Sequence, residues 1–212
     1  MNAHSPRQWT ARQVGRVKPL LFLLCLYPLG RWVFLAFDDG LTANPPEFLI
    51  RSSGLWALVV LCLTLAVTPV RRMAGQPALV RLRRMLGLFA FFYTVLHVLG
   101  WAMWERGWSP ASMWQDIVQR PFIAIGVVAT LAMLALAFTS TQGWMRRLGR
   151  GWTRLHRLVY PVAILSVWHF YLVRAGKNDF AEPYAYALAL ALLFALRARL
   201  RVWPGSGRRD DR

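Results

Sequence analysis

Six apolar runs, each long enough to cross a bilayer, punctuate this sequence at about 19–36, 54–70, 85–104, 121–139, 157–174 and 184–201. A hydrocarbon layer about 30 Å thick takes roughly 20 residues of helix to cross. No water is available there, so every backbone N–H and C=O must be satisfied within its own segment, and the runs are read as α-helices. The connectors between them are short and leave no room for a second folded unit. Residues 1–212 are therefore expected to form a single domain, an all-α integral membrane bundle whose neighbouring helices run antiparallel.

The distribution of charge supports this reading over the alternatives. The chain carries a formal net charge of +17, which in a soluble protein would suggest nucleic acid. Here the basic residues are confined to short stretches between apolar runs, and no nucleic-acid-binding pattern is present. They are read as orientation signals and as contacts to the head groups of membrane lipids. Twenty of the 26 basic residues fall on the N-terminal arm, the second and fourth connectors and the C-terminal end. The positive-inside rule assigns those parts to the cytoplasm and makes both termini cytoplasmic in a bacterial inner membrane. Seven of the nine carboxylates, including Glu105, Asp116, Asp179 and Glu182, fall on the other connectors. The polar stretch 205–212 is expected to be mobile. Cys25 and Cys62 lie inside apolar runs and are read as packing residues. No internal repeat stands out.

Ionisable side chains inside a membrane are costly and call for a reason. His97, His156 and His169 lie within or at the edge of apolar runs, whereas His4 lies in the polar arm. His97 and His169 each follow the basic end of their helix by 13 residues, counted from Arg84 and His156. At 1.5 Å per residue both sit about 20 Å from that boundary, at one depth. Two readings are open. Each imidazole bonds a neighbouring helix, or the two together ligate a haem iron from opposite faces, an arrangement suited to electron transfer. Phe91, Phe92, Tyr93, Trp101, Tyr160, Trp168, Phe170 and Tyr171 lie around them, a stripe that reads more often as ordinary packing but is also what would line a flat macrocycle.

His156 lies near the basic boundary, with Arg83 as its counterpart on the third run. Arginine has no lone pair to give a metal, so Arg83, Arg154 and Arg157 are read as candidates for holding phosphate or carboxylate. On an ideal helix His156 and His169 are about 140° apart, and Pro161 between them is expected to bend or rotate the segment.

Five strings give a more specific resemblance: LTANPPEFLIRSSGLWAL (41–58), LAVTPVRR (65–72), RRMLGLFAFFYTVLH (83–97), LAFTSTQGWMRRLG (136–149) and WTRLHRLVYPVAILSVWHF (152–170). In order and spacing they resemble the MsrQ (YedZ) family, within the ferric reductase-like transmembrane superfamily. The resemblance implies haem b and FMN as cofactors, with haem-ligand positions at His97, His156 and His169 and Arg83 where a fourth histidine would stand. It implies a non-catalytic electron-transfer subunit drawing on a cytosolic flavin reductase or the quinone pool. The electrons would go to a periplasmic MsrP-type molybdenum reductase that repairs methionine sulfoxide. The residue-level expectation is His97 and His169 on one haem iron, with His156 as an alternative ligand. A diheme cytochrome b subunit of another dehydrogenase, or a small histidine-relay transporter, are the competing readings.

Overall fold

The computed structural model describes residues 9–38 and 40–202, for 201 and 202 the backbone alone. His4, Arg7, Asp39 and the stretch 205–212 lie outside the described residues. Among the described residues the chain is helical without a strand, and six helices are long and apolar enough to cross a membrane. These are α1 (Ala11–Phe37), α2 (Pro45–Met73), a span from Pro77 to Glu105 centred on α3 (Leu82–Gly100), α5 (Pro121–Phe138), a span from Arg150 to Ala175, and α9 (Ala181–Val202). The fifth span joins α7 (Arg150–Leu155), a 3-10 turn at His156–Leu158 and α8 (Val159–Ala175).

Most spans extend beyond the apolar runs because the caps, and not the hydrocarbon boundary, set where a helix starts. Thr10 and Gln13 form a reciprocal capping box that begins α1 eight residues before its apolar run. Asn44 accepts from the Glu47 N–H, and Pro45 and Pro46 follow at positions where no amide hydrogen is needed. The connectors also contain two helices that the apolar pattern gives no sign of, α4 (Pro110–Gln119) and α6 (Gln142–Leu148), capped by Ser109 and Thr141.

The core lies where α2, α3 and α8 meet, around Leu58, Leu61 and Leu65, Leu86, Ala90 and Tyr93, and Val162, Ala163 and Val167. α1 is clamped to it from outside. The Tyr93 hydroxyl donates to the Cys25 carbonyl, and Trp32 Nε1 donates to Ser52 Oγ at 2.9 Å. Large apolar residues such as Phe34, Leu131, Phe138, Ile164 and Leu188 are exposed, the pattern of a bundle whose outer solvent is lipid.

The two ends differ in charge. The end holding the 38–45, 101–120 and 176–181 connectors carries carboxylates and cations that pair. Asp116, 5% exposed, takes Arg106 at 2.5 Å and Arg120 at 3.3 Å. Arg174 takes Asp179 at 2.9 Å and also Glu182, while Glu47 takes Arg51 at 3.1 Å and Lys177 at 3.0 Å. The opposite end holds the start of α1, the end of α2 and the end of α9. There Trp9 N–H donates to Gln76 and Arg72 donates to the Leu200 carbonyl.

Removing Asp116 strands two guanidinium groups, one of them largely buried. Asp116→Asn is expected to lower stability by roughly 2–4 kcal/mol. Glu105→Gln, which removes a 3.9 Å contact at a half-exposed carboxylate, is expected to change it by less than about 1 kcal/mol. Thermal denaturation of both variants in the same detergent checks the difference.

Candidate functional site

Each of two helix pairs holds one histidine in the same way. His97 on α3 places Nδ1 2.8 Å from the carbonyl of Ile50 on α2. His169 on α8 places Nδ1 2.7 Å from the carbonyl of Phe122 on α5. The carbonyl oxygens only accept, so each Nδ1 carries the proton and each Nε2 keeps its lone pair. Both carbonyls lie 47 residues before their histidine.

Glycine makes the approach possible. A Cβ at Gly54 would lie 2.9 Å from His97 Nδ1, and one at Gly126 would lie 3.0 Å from His169 Nδ1. Carbonyl, glycine and histidine therefore recur at a spacing of 72 residues, an internal repeat that the sequence does not reveal. Only Gly and His are identical at the three positions, too little for a pattern.

The two rings are neighbours across the bundle, with centroids 6.0 Å apart and planes nearly perpendicular at 82°. They lie in one cavity of about 1,390 Å³ bounded by α2, α3, α5 and α8. Near the rings its walls are small residues, Gly54, Ala57, Gly126, Ala129, Thr130 and Ser166. Of the two readings of the aromatic stripe, ordinary packing holds for most of it. Of those eight rings only Trp101 and Phe170 reach the cavity. Tyr93 is buried against α1, and Trp168 is 52% exposed toward the lipid side. Phe122, whose carbonyl holds His169, supplies a further ring that the sequence reading did not single out. Trp101 Nε1 is buried without an acceptor, so the cavity offers one unsatisfied donor. Charged residues, including Arg31, Arg51, Lys177, Glu47 and Glu182, line the mouth.

His156 and Arg83 do not line this cavity. His156 stacks on Trp152 with centroids 4.0 Å apart and places Nδ1 3.2 Å from the Trp152 carbonyl. Arg83 lies within electrostatic reach of His156, Tyr160 and Arg71. Arg154 and Arg157 are exposed, so the inward-facing arginine beside Arg83 is Arg71, which the sequence reading left among the orientation signals. The rotation expected near Pro161 takes the form of the 3-10 turn at His156–Leu158. Three residues turning about 120° instead of about 100° take roughly 60° off the mismatch with His169.

The chain matches the family model described as "Ferric reductase like transmembrane component" over residues 53–167. Its relatives include proteins named protein-methionine-sulfoxide reductase heme-binding subunit MsrQ. That of Bordetella pertussis is 57% identical over 188 residues, 89% of this chain and 91% of the relative. That of Ralstonia nicotianae is 48% identical over 202 residues, 95% and 93% of the two chains. The chain belongs to the MsrQ family. This makes the six apolar helices those of a multi-pass membrane protein with a ferric reductase-like fold. The MsrQ protein of Xanthomonas campestris is 46% identical over 165 residues, 78% of this chain and 75% of the relative. No solved structure gives a significant match.

In this MsrQ-family chain, Gly54→Ala is expected to push the His97 ring off the Ile50 carbonyl. Ring-nitrogen NMR of histidine-labelled protein should show the Nδ1–H tautomer in the parent and a mixture in the variant. Gly87→Ala, where a Cβ meets only a Thr64 methyl at 3.8 Å, should leave the spectrum unchanged. An unchanged Gly54→Ala spectrum would mean that the ring has room to spare.

Proposed function

We propose that this chain is the haem b-binding electron-transfer subunit of a methionine sulfoxide reductase system, with His97 and His169 ligating one haem iron. The observation that carries the proposal is the neighbouring pair of imidazoles, each pinned through Nδ1 with its Nε2 lone pair available. The fit is geometric. With metal–imidazole bonds of about 2.0–2.1 Å and each ring centroid roughly 1 Å beyond its nitrogen, two imidazoles that held one metal ion between them would have centroids about 6 Å apart. The separation found is 6.0 Å. Among the described residues no group of three or more His, Cys, Asp or Glu converges to hold a metal. An ion between these two rings needs its remaining ligands from a macrocycle, and a porphyrin provides four nitrogens.

Haem b, held by His97 and His169, would supply a one-electron carrier. The residues hold the two rings fixed. The Ile50 and Phe122 carbonyls set the tautomer and orientation of the two imidazoles and raise their basicity as ligands. The small side chains beside them leave width for a planar group, and the apolar walls keep water from the iron. Trp101 Nε1, with Arg31, Arg51 and Lys177 at the mouth, matches the two propionate carboxylates of a haem.

The orientation follows from the charge asymmetry. The basic end faces the cytoplasm of a bacterial inner membrane and contains both termini. Electrons enter there from a cytosolic flavin reductase or from quinol, with His156, Arg83 and an FMN serving the inner half. They leave at the opposite face to a periplasmic MsrP-type molybdenum reductase. The name of the relatives, a haem-binding subunit of a protein-methionine-sulfoxide reductase, supports this reading.

Membranes containing the protein are expected to give a reduced low-spin b-type spectrum that disappears in His97→Ala and in His169→Ala. His156→Ala should retain most of it. Full haem content in both of the first two variants would rule the ligand assignment out. A C-terminal reporter active only in the cytoplasm tests the orientation separately.

A further inference from the structure

The basic end contains buried donors that nothing in the bundle satisfies. Thr68 Oγ1, Arg71 Nε and Arg83 Nε are each buried without a hydrogen-bond partner. The threonine is unusual among its neighbours. Thr64 and Thr94 return their hydroxyls to the carbonyl four residues earlier, the ordinary resting place of a helical threonine, and Thr68 does not. Thr68 and Arg71 are three residues apart on α2 and share a face.

Arg83, at the start of α3, lies within electrostatic reach of Arg71 and Tyr160. The Tyr160 hydroxyl accepts from Arg197 at 2.7 Å, which leaves its own proton available to a further acceptor. Three spans, α2, α3 and α8, thus bring donors toward one region, with Arg197 of α9 bonded to Tyr160 and to the Leu65 carbonyl beside it, and no described carboxylate joins them. The described acidic residues, Asp38, Glu47, Glu105, Asp116, Asp179 and Glu182, belong to the other end of the bundle. Neither Arg71 nor Arg83 forms an ion pair among the described residues. Two half-buried guanidinium groups side by side without a counter-ion are costly, and the cost is removed by an anion.

We propose that Thr68, Arg71 and Arg83 form a binding site for a phosphate group presented at the basic face of the bundle. A phosphate monoester carries a charge of about −1.5 to −2 at pH 7 and three acceptor oxygens, which matches two guanidinium forks and a hydroxyl. A carboxylate, with one charge and two oxygens, leaves one fork unmatched. The ligand is carried either by a soluble ester such as the FMN assigned above or by an anionic lipid head group. The site takes its role in the inner half from the function proposed above, but its occupancy does not depend on His97 or His169.

The test uses the full-length protein in phosphatidylcholine nanodiscs, with the haem spectrum recorded in every sample as a check on folding. FMN is expected to bind at least tenfold more tightly than riboflavin, and inorganic phosphate to compete with it. Arg71→Gln and Arg83→Gln should each weaken FMN at least tenfold, while Arg84→Gln, at an exposed neighbouring arginine, should leave the dissociation constant unchanged. FMN affinity should also fall as the pH drops below about 6 and the monoester takes up its second proton. In a parallel arm, nanodiscs doped with phosphatidylglycerol are examined by native mass spectrometry. Lipid retention lost in Arg71→Gln and Arg83→Gln, without phosphate-dependent flavin binding, supports the site and names the lipid as carrier. Equal binding of FMN and riboflavin together with indifference to phosphatidylglycerol overturns the proposal, and that comparison needs no variant. Phosphate-dependent binding in protein whose haem spectrum does not require His97 or His169 would keep the site and remove the haem assignment.

Discussion

The second lone pair of a helix carbonyl is the resource on which this site rests. In an α-helix the Ile50 carbonyl already accepts the N–H of Gly54, and that of Phe122 accepts the N–H of Gly126. Each oxygen retains a second lone pair, which at Ile50 the imidazole shares with the Ser53 hydroxyl, 2.9 Å away and also donating to the Leu49 carbonyl at 2.7 Å. In most helices the side chain of residue i+4 stands in the way of a neighbour that seeks it. Glycine at that residue removes the obstruction, and an imidazole from the adjacent helix takes the place of a Cβ. In a bilayer this solves two problems together, because it satisfies an Nδ1–H that water cannot reach and it orients the ring. The cost is a glycine within a transmembrane helix, and the close packing of α2 on α3 and of α5 on α8 offsets it.

Charge divides the bundle in a second way. At one end cations and carboxylates neutralise one another within and between connectors, so that Asp116, Asp179, Glu182 and Glu47 all have partners of opposite sign. These carboxylates are therefore largely neutralised by their own neighbours. A partner protein meeting that face finds exposed tryptophans, Trp104, Trp108 and Trp114, beside satisfied ion pairs. At the other end the arginines outnumber any described carboxylate. That excess matches the positive-inside pattern, and it leaves Arg71 Nε and Arg83 Nε buried without a hydrogen-bond partner.

The number and place of the spans were legible because hydropathy over roughly 20 residues is a strong, local signal. So was the equal depth of His97 and His169, which follows from helical rise alone. The partners of the two rings were not. A backbone carbonyl has no identity in a sequence, and a glycine that admits an imidazole looks like any other glycine in an apolar run. Which aromatics reach the cavity was not legible for a related reason. Phe92 and Trp168 adjoin the relevant turns in sequence, but helix rotation sends them outward, and in a membrane protein an outward aromatic costs nothing. Helices α4 and α6 escaped notice because short capped segments of mixed composition carry little periodic signal.

The 72-residue correspondence that relates the two histidine clamps fails toward the basic end, and the failure has a local cause. Seventy-two residues before His156 stands Arg84, which is exposed, while the inward arginine is its neighbour Arg83. The third span is continuous α-helix from Leu82 to Gly100, so Arg83 and His97 keep nearly one face. The fifth span passes through a 3-10 turn at His156–Leu158, just ahead of the missing amide hydrogen of Pro161, and so rotates His156 relative to His169. Two similar helix pairs thus diverge below the clamps. One presents a fixed cation inward and the other an imidazole stacked on Trp152. A second pair of neighbouring imidazoles has no counterpart there, since a guanidinium offers no lone pair to a metal. The same correspondence that pairs His97 with His169 at one level of the bundle thus gives way, toward the basic end, to an unlike pair of a guanidinium and an imidazole.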